Sequence, residues 1–263
     1  MSVQLACELP TVPRKRYTWP KPKEPKSLTI GAGFECNEGF VLCADRLMSH
    51  GTAHELGSFS HYEKKVFELD SFDVAIAICG SGPTGLLKAV VESVLTKNAA
   101  LKDADGNIDL NGTRQILEEA LQDIASKLSA VPEQLSLLLA AAAEDGKQQF
   151  LRSDGLVVQS ASPIEVLGIG EMSLVRYLTD SVFKPDLDLY QLAALAGFVV
   201  YAAKRYCPQY CGGQTDIYML PKRYSWNTLP VSEEKINALE AILAQKPPEC
   251  LAGLINEAAA ILR

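Results

Sequence analysis

Nowhere in this chain do about 18 uncharged apolar residues follow one another, and its first residues hold no apolar run of signal-sequence length. Neither a helical membrane span nor a secretory signal is expected. A disulfide rhythm is missing too: the seven cysteines are odd in number and irregular in spacing, which fits a reducing compartment and makes the cytoplasm the expected location. Cys207 and Cys211 have no second Cys or His pair at ligand spacing, so a packed or turn role is expected for them rather than zinc. Asp103, Asp105 and Asn107, with Gly106 among them, resemble the start of a calcium loop. The acid that should close such a loop is absent, because its twelfth position is Arg114, and a hydrophilic turn is expected there. A basic stripe is lacking as well. With 25 Lys and Arg against 32 Asp and Glu, a net charge of −7 and a pI near 5.1, a general nucleic-acid binder is not expected. No internal repeat is evident.

What remains is an ordinary globular composition, 48% apolar and 22% charged, with ample material for a core. Its distribution is uneven. Residues 1–26 carry Arg14, Lys15, Arg16, Lys21, Lys23 and Lys26 interleaved with five prolines, a mixture that disfavours helix and core. They read as an extension, either simply solvated or a propeptide removed on maturation. Residues 27–230 form the expected main domain. Residues 231–263 form a helical tail, interrupted at Pro247-Pro248.

The chemistry concentrates at the start of the main domain. In TIGAGFECNEGFVLCAD, Asn37-Glu38-Gly39 supplies turn chemistry between two apolar runs, which predicts a hairpin from Thr29 to Asp45. Lys64-Lys65 stands just before the next strand-like run. A threonine hydroxyl needs a base to take its proton, and a Thr at a free chain terminus carries one as its own α-amine. That amine has a pKa of about 8, so only roughly a tenth is neutral near pH 7; a neighbouring lysine ammonium lowers it by like-charge repulsion. An aspartate keeps such a lysine charged and aimed.

From Thr29 onward the chain resembles the 20S proteasome family and its bacterial relatives. The resemblance rests on the Thr-led first strand, the turn ending at Gly39, Val41-Leu42-Cys43-Ala44-Asp45, Lys64-Lys65-Val66-Phe67, and the small residues from Ile76 to Gly82 ahead of a helix. It implies a proteasome-subunit-like N-terminal-nucleophile hydrolase, α+β in class, built as a four-layer αββα sandwich. It also implies Thr29 as nucleophile, Asp45 as the lysine's partner, Lys65 as the lysine that tunes the amine, and backbone N–H groups near Gly80 as the oxyanion site. Gly168-Ile169-Gly170-Glu171 resembles a family motif in which a serine stands where this chain has Glu171. The later helper segment resembles 205–213, with Gly212 and Gly213 kept and the aspartate missing. Leu28 occupies the place of the usual glycine before the nucleophile. A rival alignment makes Ser27 the nucleophile but needs a two-residue insertion before Gly39.

Along the chain, strands are expected near 28–36, 39–45, 65–70 and 73–79, then helices from Gly82 to about Asn98 and from an Asn111 cap to about Leu128. Strands near 135–143, 147–153, 155–160 and 164–169, helices near 171–180 and 188–206, and a strand at 214–220 complete the pattern. The resemblance implies a threonine peptidase acting on a peptide or protein substrate, or on another amide. It requires no metal and no organic cofactor, and it implies a homo-oligomer, a ring being one form. Two other functions stay open: a non-catalytic assembly subunit that retains its extension, and a small-molecule amidase.

Overall fold

The structure, a computed structural model, describes residues 29–49, 60–70, 74–98, 110–128, 135–143, 146–168, 179–184, 186–222, 228–245 and 251–263. Its strands, in order, are β1 (Ile30–Cys36), β2 (Gly39–Asp45), β3 (Leu47–Ser49), β4 (Ser60–Tyr62), β5 (Val66–Asp70), β6 (Val74–Ser81), β7 (Ser136–Ala143), β8 (Gln148–Asp154), β9 (Val157–Ser160), β10 (Ile164–Gly168), β11 (Thr215–Pro221) and β12 (Leu229–Pro230). The helices are α1 (Thr84–Asn98), α2 (Leu110–Leu128), α3 (Leu189–Tyr206), α4 (Glu233–Gln245) and α5 (Leu251–Leu262).

One antiparallel sheet runs β10-β1-β2-β11-β12, a second runs β5-β6-β7-β8-β9, and among the described residues β3 pairs only with β4. Strand alternation sorts the side chains between faces. Phe40, Leu42 and Ala44 of β2 meet Ala75, Ala77 and Cys79 of β6 in the core between the sheets. Val41 and Cys43, on the other face of β2, pack under α3 with Ile30, Ala32 and Phe34. Close approach of the sheets depends on a missing side chain: a Cβ on Gly33 would stand 2.7 Å from Phe150 and 2.8 Å from Leu42. Phe34 and Phe40 are at most 1% exposed, and full burial of such side chains stabilises by about 1.5–3 kcal/mol each.

Helix α3 begins where Asp188 accepts from the Gln191 backbone N–H while the Gln191 side chain accepts from the Asp188 N–H, a reciprocal cap. Its apolar residues cover most of its circumference, which suits a helix pressed between a sheet and other helices. Helices α1 and α2 pack on the second sheet through Leu87, Val91, Leu117 and Leu121 against Ile76, Ile78 and Leu139.

The expected four-layer αββα sandwich is corrected by these contacts. Helices α4 and α5 pack chiefly on α3 and on each other rather than on a sheet, with Leu239 of α4 set in the notch at Gly197 of α3. The ribbon β3–β4 belongs to neither large sheet. The described residues therefore form two antiparallel sheets plus helices. The docking of α4 and α5 depends on contacts distant in sequence, which hydrophobic period alone does not encode.

Most expected elements are present within a residue or two, as boundary fraying allows. Helix α2 starts at Leu110, so Asn111 lies inside its first turn rather than capping it. The strands β3, β4 and β12 were not anticipated. The Pro- and Lys-rich extension, Ser27, the 103–107 turn, Pro247-Pro248 and most of the helix expected near 171–180 lie outside the described residues. Among the described residues no helix is long and apolar enough to cross a membrane.

Candidate active site

The β1–β2 hairpin brings its two open ends side by side. Gly31 pairs with Ala44 and Cys36 with Gly39, so Thr29, just ahead of β1, comes beside Asp45 at the end of β2. Lys65 precedes β5 in the other sheet and reaches into the same place. Thr29 is 4% exposed, and Asp45 and Lys65 are fully buried.

The three side chains are in direct contact. The Thr29 hydroxyl donates to Asp45 Oδ1 at 2.9 Å. The Lys65 ammonium donates to the same oxygen at 2.6 Å, to the Leu47 carbonyl at 2.5 Å and to the Thr29 Oγ1. Backbone groups complete the aspartate: Ile30 N–H donates to Oδ1 at 3.4 Å, and Leu47 and Gly212 N–H donate to Oδ2 at 3.2 and 2.9 Å. A buried carboxylate needs such donors, since an unpaired one would ionise only at great cost.

Burial is the main influence on Lys65: it strips water from the ammonium and lowers its pKa, while the charge of Asp45 and its hydrogen bond work the other way. Burial also pushes up the Cys211 thiol; the nearby Asp45 charge adds to this and Lys65 opposes it. The Cys79 thiol, sealed between the sheets, is pushed up to about 12 by burial. Neither is an activated nucleophile. Among the described residues no group of three or more His, Cys, Asp or Glu side chains gathers as a metal site would require.

The structure thus brings together Thr29, Asp45 and Lys65, three of the residues singled out in the sequence. The Gly80 N–H donates to the Lys65 carbonyl at 3.3 Å, tying β6 to the lysine's own backbone. Glu171 and the rival nucleophile Ser27 lie outside the described residues. One contributor, Leu47, escaped the sequence reading, and another, Gly168, was read only as part of a resembling motif. Leu47 acts through its backbone N–H and carbonyl, which every such residue carries. Gly168, at φ +65°, lies so close that a Cβ there would stand 2.1 Å from the Thr29 carbonyl oxygen and 2.7 Å from Ser81 Oγ. The motif resemblance drew attention to Gly168, but its left-handed conformation against Thr29 is visible only in the structure.

Neighbouring charges are paired away from the centre. Arg46 turns to Asp216, donating from Nη2 at 2.7 Å and from Nε at 3.1 and 3.0 Å. Lys204 donates to Thr215 Oγ1 at 2.6 Å and to Glu240 at 2.7 Å.

No protein-family profile and no curated protein sequence matches this chain. Solved structures do. An Anbu (Gly-1) mutant from Hyphomicrobium sp. strain MC1 superposes with a TM-score of 0.65 at 14% identity, over 82% of this chain and 95% of that one. Anbu (ancestral beta-subunit) from Yersinia bercovieri gives 0.64 at 14% identity, over 83% and 98%. The Anbu complex from Pseudomonas aeruginosa, solved as a helical assembly, gives 0.61 at 12% identity, over 83% and 97%. At such identity the likeness establishes a shared, proteasome-like fold. It corrects the 20S proteasome resemblance: these neighbours are Anbu proteins, a distinct proteasome-like family.

Proposed function

We propose that this protein is a threonine-type hydrolase of peptide or other amide bonds, with Thr29 as its nucleophile once the chain ahead of it is removed. The observation that carries the reading is the direct contact of the Lys65 ammonium with the Thr29 hydroxyl, inside a buried pair with Asp45. A hydroxyl becomes nucleophilic when an adjacent base takes its proton, and a lysine whose pKa is lowered by desolvation is nearer to serving as that base. Thr29 Oγ would attack the carbonyl while its proton passes to neutral Lys65 or to the freed α-amine. Asp45 would hold both partners in line. Peptide or protein is the proposed substrate, the cytoplasm the proposed location and a homo-oligomer the proposed state. The last draws support from the helical assembly of the Pseudomonas aeruginosa Anbu complex.

A second reading, a non-catalytic assembly subunit, has one observation in its favour: at 4% exposure the Thr29 side chain is nearly sealed from solvent. Intact mass and amide hydrolysis separate the two. Loss of residues 1–28, with hydrolysis abolished in Thr29→Ala, is expected for the hydrolase. Hydrolysis undiminished in Thr29→Ala would overturn it, and an intact chain without hydrolysis would leave the assembly subunit.

A further inference from the structure

The loop that touches Asp45 is fastened at its base. Helix α3 ends at Tyr206 and β11 starts at Thr215, and the segment between them delivers the Gly212 N–H to Asp45 Oδ2 at 2.9 Å. The same segment accepts from the Leu47 and Arg46 N–H groups through the Gly212 and Gln214 carbonyls, at 3.0 and 3.1 Å. One end of the loop is Lys204, in the last turn of α3, and the other is Thr215. These ends are joined: Lys204 Nζ donates to Thr215 Oγ1 at 2.6 Å. Glu240, from α4, accepts from both, at 2.7 Å from Lys204 and 2.6 Å from Thr215. Thr215 is 1% exposed and is the register partner of Asp45 across β2 and β11. A closed triangle of hydrogen bonds with one cation and one anion therefore sits one strand away from the catalytic candidate.

We propose that Glu240, acting through Lys204 and Thr215, is a positioning residue for Asp45: helix α4 latches the base of the 207–214 loop and so fixes the Gly212 N–H on the carboxylate. The catalytic consequence rests on the hydrolase reading above; the latch itself does not. Glu240 lies on the outer side of the triangle with its side chain 28% exposed, so its removal spares the core. Without it, Thr215 loses its acceptor and Lys204 its counter-ion. The loop ends are then held by one bond between a cation and a hydroxyl free to rotate.

The test compares wild type, Glu240→Ala, Thr215→Val and Thr215→Ser by amide hydrogen exchange and by steady-state hydrolysis. In Glu240→Ala the Gly212 amide is expected to exchange about tenfold faster or more, the scale of a lost charge-assisted hydrogen bond. The Ala143 amide, bonded to Lys147 in the other sheet, should stay as it was. Thr215→Val should loosen Gly212 likewise, and Thr215→Ser should restore it. In the hydrolysis assay kcat should fall with KM unchanged, again rescued by Thr215→Ser. Unchanged Gly212 exchange, or acceleration shared equally by Ala143, would overturn the latch. A loosened Gly212 with undiminished kcat would overturn the positioning role. Should wild type show no Thr29-dependent hydrolysis, the hydrolase reading falls while the exchange data still decide the latch.

Discussion

Lys65 donates straight to the Thr29 hydroxyl, with no group between them, and its remaining protons go to Asp45 and to the Leu47 carbonyl. An ammonium has three protons and no lone pair, so in this state every one is engaged. To accept the hydroxyl proton the lysine must first lose one, and desolvation is the force that favours that loss.

Hydrolysis by Thr29, once its α-amine is freed, should therefore rise with pH, with a midpoint below lysine's ordinary 10.5. A pH–rate profile of kcat measures it. A rate that falls over the same range would remove Lys65 from the proton path. Stability should carry the same signature. The unfolded chain binds this proton more tightly than the folded one, so unfolding free energy should increase as pH rises from the lowered pKa toward 10.5, and Lys65→Met should flatten that slope.

Asp45→Asn leaves a buried ammonium without its counter-charge, and breaking a pair this way costs about 3–5 kcal/mol. Denaturant unfolding near neutral pH should register that loss. The penalty should shrink in alkaline buffer, where Lys65 is neutral. A pH-independent penalty would mean that packing rather than charge accounts for the effect.

Gly168→Ala should displace Thr29 and weaken the fold by about 1–3 kcal/mol, because the new methyl meets a backbone oxygen in a left-handed conformation. Gly253→Ala is the contrast. Its Cβ meets nothing within 4 Å inside a helix, so it should stabilise by about 0.5–1 kcal/mol. Thermal melts of both variants check the pair.

The hairpin and its end residues were legible because turn chemistry at 37–39 and the apolar run after it are local signals. The α3 boundary was legible for the same reason, since Asp188 and Gln191 cap within one turn. Short strands left no trace: Leu47–Ser49 and Ser60–Tyr62 are too brief to show a period. Leu47 serves the site through backbone groups, which have no side-chain identity to read, and Gly212 was legible as a kept glycine of a resembling segment but not as a donor to Asp45. Distinguishing Anbu-like from 20S-like was beyond the motif, because a Thr, an Asp, a Lys and a turn are local signals that do not specify the path of the whole chain. The structures that superpose on most of the chain, described above, are Anbu proteins.

The pairing of β1 with β2 acts as a ruler for this centre. One residue gained in either strand between its ends would carry every later side chain through to the opposite face, swinging Asp45 away from the ammonium it holds. A matched gain beside the turn, one residue on each arm, would leave the open end undisturbed. Variation in hairpin length is thus confined to symmetrical steps, whereas the turn's composition is at liberty to drift.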